Sequence, residues 1–200
     1  MNTFSQNIPD IINQAITQHS SKHFIVFGNH TITYGELKSK IGKYTSYFLN
    51  KGINKGDRVV FSSKDEKFTC YFYLSLIANG ITAILIDSNG GTERSNAIIN
   101  HCQPHSIFVD EELINKWNLT LTCSKNVIPI IQKNKNSILD KILRKNDQLP
   151  ESFPTCTETL AETAIAEYIE PESDAYILYT SGTTSAPKGV RISYRLLLRG

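Results

Sequence analysis

From Arg58 onward the chain alternates short apolar runs with helix-type patterns, and this alternation restricts its possible folds more than any other feature. Arg58-Val59-Val60-Phe61, entered through Gly56-Asp57, reads as a buried strand, because a short continuous apolar run bounded by turn residues suits a strand covered on both faces. Ser63-Lys64-Asp65-Glu66 has the spacing of a capping box and predicts a helix running toward Asn79-Gly80. Ile81 to Asp87 follows as a strand, Thr92 to His101 as a short helix and Ser106 to Asp110 as a strand. Glu111 to Trp117 is one more short helix and Val127 to Ile131 one more strand. Strands separated in this way pair in parallel through right-handed crossovers, so the expected class is α/β, a mostly parallel sheet with covering helices.

The region before Arg58 builds the support for that sheet. A helix begins near Pro9, a residue suited to the first helical position, and shows Ile8, Ile11, Ile12, Ala15 and Ile16 along one side. Phe24 to Phe27 and His30 to Thr33 flank Gly28-Asn29, a two-residue connection with glycine leading, as a type II′ hairpin prefers. Thr33-Tyr34-Gly35-Glu36 forms a capping box, and Leu37, Ile41, Tyr44 and Phe48 recur at helical spacing behind it. That helix ends near Asn50-Lys51-Gly52, with glycine placed for a left-handed terminus. Its aromatic residues are expected in the core.

With 40% hydrophobic residues, a chain of 200 can bury a sizeable core. The net charge of +2, from 21 basic and 19 acidic residues, offers no basic field for nucleic acid or an anionic membrane. No signal peptide opens the chain and no apolar run approaches the ~18 residues of a membrane helix, so a cytoplasmic location is expected. Cys70, Cys102, Cys123 and Cys156 are scattered without a Cys-x-x-Cys pair and read as reduced thiols. His101 and His105 have the spacing of a metal pair beside Cys102, but Pro104 disfavours the helix that would align them, and no metal ligands are assigned. Asn118-Leu119-Thr120 has the form of a glycosylation acceptor and reads as a loop. Residues 132–174 are a loop-rich connection, basic in the first half and acidic in the second, with a helix around Ser137 to Arg144 and with Pro150, Pro154 and Pro171 as punctuation.

Tyr176-Ile177-Leu178-Tyr179 then reads as a buried strand that empties into Thr180-Ser181-Gly182-Thr183-Thr184-Ser185-Ala186-Pro187-Lys188-Gly189-Val190. Hydroxyls, backbone N–H groups freed to converge by Gly182 and Gly189, and the Lys188 ammonium make a phosphate-gripping composition. It is not a Walker A loop: Lys188 precedes Gly189, and no hydroxyl follows the lysine to hold magnesium.

Thr180 to Lys188 resembles the phosphate-loop signature of the adenylate-forming superfamily, which includes acyl-CoA synthetases, nonribosomal peptide adenylation domains and luciferases. That signature usually reads Thr-Ser-Gly-Thr-Thr-Gly, any residue, Pro-Lys-Gly, and this chain departs from it at Ser185. Three earlier segments are similar in the same order: Ile32-Thr33-Tyr34-Gly35-Glu36-Leu37, Gly56-Asp57-Arg58-Val59, and Leu76 to Asp87. Asp87-Ser88-Asn89 stands where Asp-Pro is usual, and Tyr194 follows Ser193 where histidine is frequent, so features of the acyl pocket are not carried over.

The resemblance implies carboxylate activation: an acid and ATP give an acyl-adenylate and pyrophosphate, and a thiol of coenzyme A or of carrier-protein phosphopantetheine takes the acyl group. It places Thr180, Ser181, Gly182, Thr183, Thr184 and Lys188 on the β- and γ-phosphates, with Mg2+ offsetting charge, and leaves Tyr179 as a strand residue. It implies that residues 1–200 are part of the large amino-terminal domain, with strand and phosphate loop at 175–193 and the small carboxy-terminal lid absent. The adenine- and ribose-binding segments and the adenylation lysine lie later in the family. The expectation is therefore a truncated or split enzyme, with no catalytic residue of its own and inactive alone, whose partner is the remaining portion. The alternative is a degenerate, noncatalytic module that binds nucleotide or another protein.

Overall fold

The structure is a computed structural model in which residues 7–27, 30–119, 126–131, 153–154, 161–180 and 186–199 are described. Helix α1, Ile8–Gln18, carries Pro9 in its first turn and buries Ile8, Pro9 and Ile16. Strands β1, His23–Phe27, and β2, His30–Thr33, pair antiparallel. The Gly28-Asn29 turn, Cys123, Cys156 and the helix expected over Ser137 to Arg144 lie outside the described residues.

Helix α2, Tyr34–Asn50, starts on the capping box read from the sequence. The Glu36 N–H donates to Thr33 Oγ1 at 3.2 Å, and the Thr33 N–H donates to Glu36 Oε2 at 2.8 Å. The Thr33 backbone bond holds the Glu36 carboxyl below its ordinary value. Thr33→Ala removes one acceptor from the helix start and is expected to cost about 1 kcal/mol, read in urea as a lower midpoint at unchanged slope. Leu37, Ile41, Tyr44 and Phe48 are all buried, and Gly52, at φ +67°, takes the left-handed conformation just past the helix end.

A single seven-stranded sheet follows. Its strands are β3, Arg58–Ser62; β4, Thr82–Leu85; β5, Ser106–Asp110; β6, Asn126–Ile131; β7, Phe153–Pro154; β8, Asp174–Tyr179; and β9, Gly189–Ser193. They lie in the order β7-β6-β5-β3-β4-β8-β9, and every neighbouring pair is parallel except β8 with β9. Helices α3, Glu66–Ala78, α4, Thr92–Cys102, and α5, Glu111–Lys116, form the connections between β3 and β6, and α6, Tyr194–Leu197, follows β9. The α/β reading of the sequence is thus correct, with β9 as an added antiparallel edge.

Alternation along each strand sends side chains to two layers. Val59 and Phe61 of β3, Ala83 of β4 and Phe108 of β5 pack beneath α1, α2 and α3. Val60, Ile84, Ile107 and Val109 face the other way, onto Ile98, Ile99 and Cys102 of α4 and Leu113 of α5. The centre of the first layer is Phe72, fully buried, with ring centroids 4.8 Å from Phe108, 5.1 Å from Phe68, 5.3 Å from Phe61 and 5.6 Å from Phe48. Because β3 connects to β4 in one direction and β4 returns across β3 to β5, right-handed crossovers must put α3 and α4 on opposite faces. The carboxyl ends of β3 and β4 therefore part, one leading to each face.

One expectation is corrected. Helix α3 is capped not by Ser63 but by Asp65, whose Oδ1 accepts from the Phe68 N–H at 2.9 Å. Ser63 is drawn away: its hydroxyl donates to Asp110 Oδ1 at 2.8 Å, and the Lys64 N–H donates to Asp110 Oδ2 at 2.7 Å. The parallel register, with Ser62 opposite Val109, brings that carboxylate to the end of β3.

Candidate active site at the strand ends

Where β3 and β4 diverge, a cleft of about 750 Å³ opens. Open parallel sheets characteristically hold ligands at such a switch point, outside the carboxyl ends of the strands. One wall is Ser63 with Glu66, Thr69 and Cys70 of α3; the other is Asp87, Ser88 and Gly90 with Arg94, Ser95 and Ile98 of α4. Leu85 and Ile86 form the base, and Tyr179 closes the side toward β8.

Both connecting loops are fixed by hydrogen bonds. Asp110 anchors the β3 side through Ser63 and Lys64, as described; burial pushes its carboxyl up, against the downward pull of those two bonds. On the β4 side, Asp87 Oδ1 accepts from the Asn89 N–H and its carbonyl accepts from the Gly90 N–H, each at 2.9 Å. A side chain on Gly90 would set Cβ 2.9 Å from the Asp87 carbonyl oxygen, so this turn requires glycine. Lys116 Nζ donates to the Ser88 carbonyl at 2.9 Å and ties the turn to α5. Burial pushes the half-buried Cys70 thiol up, which keeps it protonated and a poor nucleophile.

The hydroxyl-rich segment springs from the edge of this cleft. In the β8–β9 hairpin Tyr179 is opposite Gly189, so the nine residues 180–188 form the connection. Thr180 and Lys188, the two ends of the connection, are exposed. Ser181, Gly182, Thr183, Thr184 and Ser185 lie outside the described residues. Gly189 belongs to β9 itself, where the sequence reading expected it to free the loop's turn. Its lack of a side chain matters for contact: a Cβ there would stand 2.9 Å from Ile177 Cγ2 and 3.1 Å from Tyr179 Cζ.

Tyr179, read from the sequence as a strand residue only, does more. Its ring lies across Gly189, it borders the cleft, and its hydroxyl is 2.8 Å from His101 Nδ1. Burial pushes the phenol up to about 12. No local sequence signal marks this contact, since the partner is 78 positions away. The two histidines considered as a metal pair have separate hydrogen-bond partners, because α4 ends at Cys102 and the left-handed Gln103 turns the chain before Pro104. His105 Nδ1 is 2.9 Å from Ser106 Oγ, and His101 belongs to Tyr179. Tyr194 is buried against α3, its hydroxyl donating to the Ile77 carbonyl at 2.9 Å, and it does not line the cleft.

Against known protein families, residues 12–200 match the family described as AMP-binding enzyme. The chain belongs to that family. The chain is 31% identical over 181 residues to a crotonobetaine/carnitine–CoA ligase of Proteus sp., covering 84% of this chain and 32% of the ligase. It is 26% identical over 188 residues to the PKS-NRPS hybrid synthetase ATPKS of Aspergillus niger, covering 94% of this chain and 9% of the synthetase. It therefore spans a third or less of the length of these curated relatives. Among solved structures it resembles VinN in complex with L-aspartate, with TM-score 0.72 and 18% identity, over 94% of this chain and 48% of that one. It also resembles the NpsA N-terminal subdomain of Klebsiella oxytoca, with TM-score 0.69 and 19% identity, over 95% of this chain and 42% of that one. These likenesses show a fold shared with VinN and with the NpsA N-terminal subdomain. Among the described residues, no helix is long and apolar enough to cross a membrane.

Proposed function

We propose that the chain supplies the phosphate-holding part of an ATP-dependent, acid-activating ligase. A carboxylate oxygen attacks the α-phosphorus of ATP, the bond to the bridging oxygen of the β-phosphate breaks, and its electron pair leaves on pyrophosphate; the sulfur of coenzyme A or of carrier phosphopantetheine, giving up its proton, then attacks the acyl carbon, and the C–O bond to the phosphate breaks with AMP as the leaving group. The observation that carries this reading is that, in a member of this family, Tyr179 at the carboxyl end of β8 borders the switch-point cleft and pairs with Gly189, so that Thr180 and Lys188, the ends of the hydroxyl-rich connection, start there.

Nucleotidyl transfer depends mainly on alignment and charge stabilisation. In this reading Thr180, Ser181, Gly182, Thr183 and Thr184 present hydroxyl and backbone donors to the β- and γ-phosphates, and Lys188 adds a full charge at the far stem. The cleft admits the acid from the β4 side. Magnesium supplies neutralisation of the phosphate charge when it is bound with ATP, and it characteristically binds through phosphate oxygens plus one or two carboxylates. Among the described residues no group of three or more His, Cys, Asp or Glu could cage it, whereas Glu66 and Asp87 place single carboxylates in the cleft. A cytoplasmic site of action, where ATP is held, goes with this reading.

Pyrophosphate exchange into ATP tests it. Exchange is expected when the chain is mixed with the carboxy-terminal portion of such a ligase and the right acid, and not with the chain alone. Heat of binding is expected when magnesium pyrophosphate is titrated into the folded chain alone. Absence of both heat and exchange would overturn the ligase reading and leave a noncatalytic module.

A further inference from the structure

We propose that Tyr179, held by His101, is a positioning residue for the phosphate loop, fixing where its two stems, Thr180 and Lys188, leave the sheet. The inference rests on the loop's proposed role as the phosphate grip. It assigns a task to two side chains that the chemistry above does not use.

The geometry constrains the loop root from three sides. The backbone of Tyr179 is paired with Gly189, so both stems of the loop are one residue beyond this pair. Across the pair, the Tyr179 ring occupies the space a side chain on Gly189 would need, 3.1 Å from Cζ and 3.2 Å from the hydroxyl to the Cβ position. An aromatic ring lying over a cross-strand glycine fixes both strands at that point. On the third side the ring meets His101 edge to face, with centroids 5.7 Å apart and planes at 87°, and hydroxyl and Nδ1 are 2.8 Å apart. The phenol stays protonated at neutral pH, and its hydroxyl shares one hydrogen bond with Nδ1 of the imidazole.

His101 lies in the last turn of α4, and the first turns of that helix form a wall of the cleft. The contact therefore joins the loop root to the element that shapes the acid-side wall. A grip that must hold two phosphates in line is sensitive to small changes in where its backbone starts, because misplacement by about an ångström lowers productive alignment steeply. The hydroxyl of Tyr179 touches no phosphate in this scheme; it acts through the loop.

The test is magnesium pyrophosphate binding to the full chain by calorimetry, with thermal unfolding measured alongside. Tyr179→Phe and His101→Leu each remove the bond and are each expected to weaken binding about fivefold, the range of one hydrogen bond. The double variant should be no weaker than either single one, since both lose the same contact. His101→Asn, which keeps a polar atom near the Nδ1 position, should restore affinity toward that of the unaltered chain. A purely structural contact would lower the unfolding temperature without this shared, rescuable loss of affinity. If the unaltered chain gives heat and Lys188→Ala abolishes it, while the Tyr179 and His101 variants bind as the unaltered chain does, the positioning role is overturned and the loop assignment survives. If the unaltered, folded chain gives no heat, the loop assignment fails and this inference with it.

Discussion

Phe72→Ala is expected to destabilise the chain by about 4 kcal/mol, the loss typical of a fully buried phenylalanine cut to alanine. The magnitude follows from where the ring sits. Phe72 is completely buried on α3 and contacts rings from α2, β3, β5 and its own helix: Tyr44, Phe48, Phe61, Phe108 and Phe68. Truncation leaves a void whose walls are held by three separate elements, so collapse to fill it is opposed on every side. A denaturant titration at neutral pH checks this, and a loss under about 1 kcal/mol would show that the layer repacks far more freely than its geometry implies. Phe72→Leu keeps most of the volume and should lose less than half as much.

Lys188→Ala is expected to weaken magnesium pyrophosphate binding about 50-fold, from the roughly 2.3 kcal/mol of a hydrogen bond to a charged group. Lys188 is exposed at the second stem of the loop, immediately before the residue paired with Tyr179. Little folding energy rests on a solvated ammonium, so the unfolding temperature should not change, and the loss should appear in affinity alone. Lys188→Arg keeps the charge but replaces a compact ammonium by a broad planar group, and should recover part of the loss. Raising the salt should narrow the difference between unaltered chain and alanine variant, because an exposed charge is screened. Affinity unchanged by Lys188→Ala would remove this lysine from the grip.

Features determined within a few residues could be read from the sequence, and features determined by the sheet could not. The capping box at Thr33 and Glu36 and the left-handed Gly52 depend only on near neighbours, and both are present. So is the alternation from β3 to β6, since apolar periodicity records burial directly. At Ser63 the same local motif failed, because Asp110, 47 positions later, takes the hydroxyl once β5 pairs with β3. Tyr179 was undervalued for the same reason: His101 and Gly189 give it meaning, and only α4 and β9 bring them there. The cleft itself arises from the reversal of strand order around β3, which no stretch of residues encodes by itself.

The seam between β4 and β8 has a mechanical consequence. The two strands share one register pair, Ala83 with Tyr176, whereas β8 and β9 share five, and β3 has four with each of its neighbours. The β8–β9 arm is thus stiff along its own length and lightly stitched to the slab beside it, with Thr82 Oγ1 donating to the Asp174 carbonyl at 3.0 Å as an extra stitch. The amides along that seam should accordingly trade their hydrogens with heavy water sooner than those inside the arm.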